Sequence, residues 1–111
     1  MRTSDNLKRG SVELMLLTLL KEKDMYGYQL SQELGRRSSE RYKLQESSMY
    51  PILYRMIDKG YISDRRELVG KRKYRVYYHI ETEGLNYLEQ IKKEYLSITE
   101  GILEILGKRI D

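Results

Sequence analysis

The hydrophobic and polar positions fall into segments of different period. From Val12 to Leu20 the apolar residues are too dense for one narrow stripe: Val12, Met15, Leu16, Leu19 and Leu20 make one helical face, which Leu14 and Leu17 widen. This predicts a first helix buried on most sides, with Ser11 as its N-cap and the polar run Lys21, Glu22, Lys23, Asp24 after it. A second, shorter helix is predicted from Tyr26 to Leu34, where Tyr26, Leu30 and Leu34 recur on one face. Gly27 inside it costs roughly 1 kcal/mol of helix propensity against Ala, which implies close approach of another backbone. Gly35 supplies a stop. The charged stretch Arg36 to Glu46 reads as a loop or irregular turn. A third helix starts at Ser47 or Ser48 and ends before Gly60, with Met49, Leu53, Met56 and Ile57 as its stripe and Ile52 at the edge. Pro51 lacks an N–H and so belongs to the first turn.

The period then changes. Tyr74, Val76, Tyr78 and Ile80 alternate with Arg75, Tyr77 and His79, which predicts a half-buried strand with one wet face. Ile62 to Leu68 is its hairpin partner, and Val69-Gly70-Lys71-Arg72-Lys73 is the tip, with Gly70 supplying the turn. From about Thr82 to Leu106 the helical period returns. Leu88, Ile91, Tyr95, Ile98, Ile102 and Ile105 are spaced alternately by three and four residues, an a/d seam that Leu85, Leu103 and Leu106 broaden. Such a helix carries more apolar surface than its own domain needs, so its seam is expected to pair two chains.

Composition bounds the function. The 111 residues hold no Cys and no Trp, and the apolar fraction of 40% is modest. The length allows one small domain with an arm. Disulfides, thiolate nucleophiles and cysteine-ligated zinc are excluded. Without a signal-peptide pattern or an apolar run of about 18 residues, the expectation is a soluble cytoplasmic protein that does not enter a membrane. Net charge is +4 and is uneven: residues 61–80 carry six basic and two acidic side chains, whereas residues 81–111 carry four and seven. A basic patch of this kind attracts polyanions. On charge alone, a merely solvated basic surface is an equal reading.

The order of elements sharpens this. The second and third helices form a helix-turn-helix, and residues 61–80 form a wing; a major-groove helix beside a cationic finger points to nucleic acid. The chain is therefore expected to be mainly α with a β-hairpin wing, a winged helix-turn-helix over residues 1–81 followed by a C-terminal dimerisation helix over residues 82–111. Ser47, Ser48 and the N–H groups at the third helix's start suit a phosphate. Tyr50 suits a phosphate through its hydroxyl, or packs its ring against the first helix, or both. Tyr54 and Arg55 lie a turn further along the exposed face and are candidates for base edges, with phosphate or a surface ion pair as the alternative for Arg55. Lys71, Arg72 and Lys73 at the hairpin tip suit the DNA backbone or a narrow minor groove.

Catalysis finds little support. His79 is the single histidine, on a strand face expected to be wet. No metal-ligand spacing is present, and pairs such as Glu100 and Glu104 fit the polar side of the last helix. No enzyme, metal or cofactor is expected. Eleven tyrosines with no Phe are unusual; they are ordinary core and interface aromatics, or part of an aromatic cavity between dimer helices for a flat organic ligand.

Several short runs, in this order and spacing, resemble the PadR family of bacterial winged-helix transcriptional regulators, of the short type with a single C-terminal helix. They are Leu7-Lys8-Arg9-Gly10-Ser11, then Tyr26-Gly27-Tyr28-Gln29-Leu30, then Met49-Tyr50-Pro51-Ile52-Leu53-Tyr54-Arg55-Met56 with Gly60-Tyr61-Ile62, and Arg72-Lys73-Tyr74-Arg75-Val76-Tyr77-Tyr78 ahead of Gly84. The resemblance covers roughly residues 7–106. It implies a homodimer in which the C-terminal helix packs on its partner and on the N-terminal helix, and binding to palindromic operator DNA, usually as a repressor. It also implies relief by small molecules such as phenolic acids or other toxic aromatics. The family's Tyr-Pro pair falls on Tyr50 and Pro51, its tyrosine being associated with the DNA backbone.

Two departures stand out. Ser47-Ser48-Met49 replaces the usual Gly-Thr before Leu-Tyr-Pro, and Ile80-Glu81-Thr82-Glu83-Gly84 replaces the usual Leu-Thr-Glu, leaving Glu81 or Thr82 to cap the last helix. The absence of Trp removes the indole platform that some relatives use for ligands. The competing reading is a protein-interaction or antitoxin-like module whose C-terminal helix binds a different protein.

Overall fold

A computed structural model describes residues 11–108. It is mainly helical, with a three-stranded sheet that carries the wing and a long C-terminal helix. In chain order the elements are α1 (Val12–Glu22), β1 (Met25–Tyr26), α2 (Gly27–Arg37), α3 (Glu46–Asp58), β2 (Ile62–Gly70), β3 (Lys73–Ile80) and α4 (Thr82–Leu106).

The dense apolar run of α1 places it centrally. Leu16, Leu17 and Leu20 are fully buried, and α1 packs against α2, α4 and β3. The face of α3 formed by Met49, Leu53 and Met56 completes the core with Leu30 and Leu34 of α2. Ser11 stands at the N-cap of α1 without a capping bond from its side chain; its hydroxyl lies 2.7 Å from that of Tyr42.

Helix α2 starts and ends differently from expectation. Tyr26 belongs to β1, a two-residue strand pairing Met25 with Tyr78 and Tyr26 with Tyr77, so the antiparallel sheet runs β1-β3-β2. At the other end α2 continues through Gly35 to Arg37. The stop is made instead by Ser39 and Glu40, both in the left-handed region (φ 55° and 66°), with the Glu40 N–H donating to the Gly35 carbonyl at 2.7 Å. The Ser38 hydroxyl donates to the Leu34 carbonyl and accepts the Tyr42 N–H, bonding groups the helix end leaves unpaired.

The wing pairs Ile62 with Ile80 through to Leu68 with Tyr74; beyond a bulge at Val69, Gly70 faces Lys73. The tip is thus the pair Lys71–Arg72, and the left-handed residue is Arg72 (φ 66°), not Gly70. The expected alternation holds only at the base of β3: Tyr78 and Ile80 are buried, while Tyr74 and Val76 are exposed because the wing runs out past the core.

The root of α4 is fixed on a single residue, Tyr61. The Tyr61 carbonyl accepts the Glu81 N–H at 2.9 Å, and Tyr61 donates its own N–H to the Met56 carbonyl at the end of α3. Gly84 lies against the same carbonyl so closely that a Cβ there would sit 2.1 Å from its oxygen. The Tyr61 ring stacks on Tyr87 at 4.2 Å between centroids, and the Tyr87 hydroxyl donates to Glu13 on α1.

The seam of α4 therefore divides. Leu88 (2% exposed) and Ile91 (8%), expected to face a partner, are spent on the chain's own core. Tyr95 is half-buried. Beyond Tyr95, Ile98, Ile102 and Ile105, together with Leu96 and Leu106, are exposed, and Ile105 reaches 88%; near the root Leu85 is exposed as well. From Leu96 onward the helix runs roughly 16 Å, within a molecule of 56 × 29 × 27 Å.

Candidate nucleic-acid interface

Helix α3 begins one residue earlier than expected. Its N-cap is Gln45 and its first residue is Glu46, so Ser47 and Ser48 lie exposed within the first turn rather than at the cap. A carboxylate in the first turn complements the helix dipole and takes up part of the positive end that would otherwise favour a phosphate. The Tyr50 hydroxyl donates to that carboxylate at 2.8 Å. This hydrogen bond first, and burial second, raise the Tyr50 pKa above the usual tyrosine range, so the group stays protonated.

The Tyr50 ring is partly buried against the core. It stacks beside Tyr54 at 6.1 Å and approaches the bare backbone of Gly27, where a Cβ would lie 3.2 Å from both the Tyr50 hydroxyl and the Glu46 carboxylate. The glycine thus makes room for side chains rather than for the backbone expected there. Tyr50 and Tyr54 form one wall of a groove of about 390 Å³, and Tyr74, Arg75 and Val76 of the wing form the other. The wing therefore stands beside the exposed face of α3.

Arg55 is exposed but does not line this groove; its charged neighbour is Glu13 of α1, at 3.8 Å. Of the candidate residues on α3, the fold brings Tyr50 and Tyr54 together and sets Arg55 on the helix flank. Lys71, Arg72 and Lys73 are exposed at the wing tip and form no ion pair among the described residues.

The remaining wing arginines are held against tyrosine rings. Arg65 lies over Tyr77, Arg66 over Tyr74 and Arg75 over Tyr26, with the guanidinium carbon 4.3–5.3 Å from the ring centre. Such stacking fixes the charge of Arg66 and Arg75 in place while leaving it able to meet an anion, whereas Arg65 is also paired with Asp24 and Glu67. Nothing in the sequence pattern signalled the role of Asp24, which accepts hydrogen bonds from Arg65 and, at 2.7 Å, shares one with His79 Nδ1. Glu81 accepts from Ser63 and lies 4.0 Å from His79 Nε2. Burial raises the Asp24 pKa, but the hydrogen bonds and charges of His79 and Arg65 outweigh it and hold the carboxyl below its usual range. This cluster ties the wing to the α1–β1 connection. Among the described residues no group of His, Cys, Asp and Glu could hold a metal ion, and no helix is long and apolar enough to cross a membrane.

Residues 16–90 match the family model described as the transcriptional regulator PadR-like family. An uncharacterized protein of Lysinibacillus sphaericus is 34% identical over 99 residues, spanning 83% of this chain and 84% of its own length. Among solved structures, a transcriptional regulator from Clostridium thermocellum superposes with a TM-score of 0.80 at 32% identity, covering 93% of this chain and 99% of that one. Bacillus subtilis PadR, solved in complex with operator DNA, matches in fold with a TM-score of 0.66 at 22% identity, over 71% of this chain and 45% of that one.

Proposed function

Since this chain belongs to the PadR-like family of transcriptional regulators, we propose that it acts as a homodimer that binds a palindromic operator and represses transcription until a small molecule relieves it. The chain is a regulator and not an enzyme. The observation that carries the DNA reading is the placement of the cationic wing beside the exposed face of α3. In a winged helix-turn-helix such a face enters the major groove while the wing meets the backbone. Tyr54 then faces base edges, with Ser47 and Ser48 at the adjoining phosphates. Tyr50, committed to Glu46, acts mainly by holding the helix start. Arg55, on the flank, suits a phosphate better than a base. Lys71, Arg72 and Lys73 supply backbone charge.

Self-association rests on the end of α4. Ile98, Ile102 and Ile105 leave a contiguous apolar stripe in water, which a second copy covers with the least specialised geometry, a twofold axis. The dimerisation segment 82–111 thus shares its root, from Gly84 to Ile91, with the DNA-binding domain 1–81. A cytoplasmic location follows from the proposed work on operator DNA.

The test is a pair of measurements. Purified protein should sediment as a dimer, and it should bind the promoter region beside its own gene more tightly than random DNA, with affinity falling steeply as salt rises. A monomer that binds neither DNA would refute the proposal, and a stable complex with another protein through α4 would favour the interaction-module reading instead.

A further inference from the structure

The groove between α3 and the wing has a composition that DNA does not explain. It lies on the most basic part of the chain, yet two carboxylates, Glu46 and Asp64, line it. The only cation among its lining residues is Arg75, whose guanidinium is folded over the Tyr26 ring at 4.3 Å. A phosphate placed here meets net negative charge. The rest of the lining is dominated by tyrosines: Tyr50 and Tyr54 present near-parallel rings, 16° apart, and Tyr28 and Tyr78 contribute from α2 and β3. The bare backbone of Gly27 keeps the space beside Glu46 open. Burial, with the nearby Tyr50 and Tyr54 hydroxyls and the carboxylates of Asp64 and Glu46, pushes the Tyr78 hydroxyl up to about 12, so the ring stays neutral.

Electron-rich ring faces gathered around two carboxylates attract a cation, and attract it more strongly when it is flat and poorly hydrated. The three arginines already seated on wing tyrosines are the intramolecular version of that contact. We infer that the α3–wing groove binds a planar aromatic cation. The ligand and the operator then compete for one face, because Tyr54 lines the groove and faces the DNA. This second step rests on the proposed DNA interface, whereas binding of the cation does not.

The probe is 1-methylquinolinium, with uncharged quinoline at pH 8 as its neutral counterpart. Isothermal titration of the full chain without DNA should give saturable binding of one probe per protomer, with quinoline at least about five-fold weaker. Asp64 is exposed and outside the core, so Asp64→Asn should keep the native circular dichroism and weaken the probe about three- to five-fold. Tyr28→Leu should weaken quinolinium more than quinoline. In anisotropy measurements at matched ionic strength, the probe should raise the apparent Kd for operator DNA in proportion to its own occupancy. Absence of saturable heat, equal affinity for quinoline, or indifference to Asp64→Asn would overturn the site. Tight probe binding with an unchanged DNA Kd would overturn the competition. A protein that takes up the probe but binds no DNA at all would leave the site supported and remove the DNA reading instead.

Discussion

Replacing Gly84 by Ala sets two known effects against each other. Ala is the better helix former by roughly 1 kcal/mol, so at an unobstructed position in α4 the change stabilises. At Gly84, however, the new Cβ lies 2.1 Å from the Tyr61 carbonyl oxygen and 2.9 Å from the Ile80 side chain. The oxygen belongs to backbone that also accepts the Glu81 N–H, so it cannot swing aside as a side-chain tip would. To restore contact at 3.0 Å or more, α4 must back away by roughly 1 Å, and a radial gap of that size forfeits up to about half of the dispersion attraction across it. Leu88 and Ile91, buried in the same interface, share that loss. Overpacking costs about 1–3 kcal/mol, and an immovable carbonyl puts this case at the top of the range. Net of the propensity gain, the expected loss is about 2 kcal/mol, or a fall in melting temperature of roughly 8 °C for a domain of this size. The assay is urea and thermal unfolding by circular dichroism at fixed protomer concentration, because dimerisation makes stability concentration-dependent. Gly101→Ala in the same helix, where a Cβ meets nothing within 4 Å, is the control and should gain up to about 1 kcal/mol. If Gly84→Ala were neutral, or matched the control, the close approach of α4 to the Tyr61 peptide would be refuted.

Three further outcomes are expected. Changing Lys71, Arg72 and Lys73 together to Ala should weaken binding to operator and random DNA alike and lower the salt slope by up to about 5 units, since the dimer carries two copies of the tip and each phosphate contact contributes about 0.9; a loss confined to operator DNA would show that the tip reads bases. Ile102→Glu with Ile105→Glu should convert the dimer to a soluble monomer in sedimentation without loss of helical circular dichroism, because both side chains are exposed on the single chain; loss of the fold would mean that they serve the core. Asp24 has a folded pKa below its unfolded value, so its contribution to stability is present above about pH 4 and fades as acid protonates it. Asp24→Asn should therefore reduce stability at pH 7, and the reduction should shrink steadily as pH falls below about 4, as read by urea unfolding across that range. An equal effect at both ends would show that the ion cluster at the wing base plays no part.

Much of the architecture was legible because it depends on local period. The dense apolar run of α1, the stripe of α3 and the alternation at the base of β3 each encode their own element. What escaped depends on contacts distant in sequence or on geometry that several sequences satisfy. Strand β1 exists only through two residues paired with β3. The end of α2 is made by Ser39 and Glu40 in a conformation usually left to glycine, so Gly35 misdirected the boundary. The seam of α4 is continuous in sequence, and its period is the same whether it faces the chain's own core or another chain. Only the packing of Leu88 and Ile91 separates the two uses. At the candidate interface, residue type and exposure pointed to Tyr54 and the wing tip. The pairing of Glu46 with Tyr50, and the flank position of Arg55, arise from which helix neighbours which.

Tyr61 joins the end of α3 to the start of α4 through its N–H and its carbonyl, and in the proposed dimer on DNA this makes the protein a ruler. In a twofold dimer the distance between the two α3 helices is set by the angle at which each 25-residue α4 leaves its joint. A rod of that length spans about 37 Å, so a tilt of about 5° at the root moves its tip by roughly 3 Å. That is about one base-pair step of DNA. On the proposed operator reading, a glycine bearing on a carbonyl and two stacked rings thus act far from any nucleic acid, as the calibration mark that sets which half-site spacing the protein can measure.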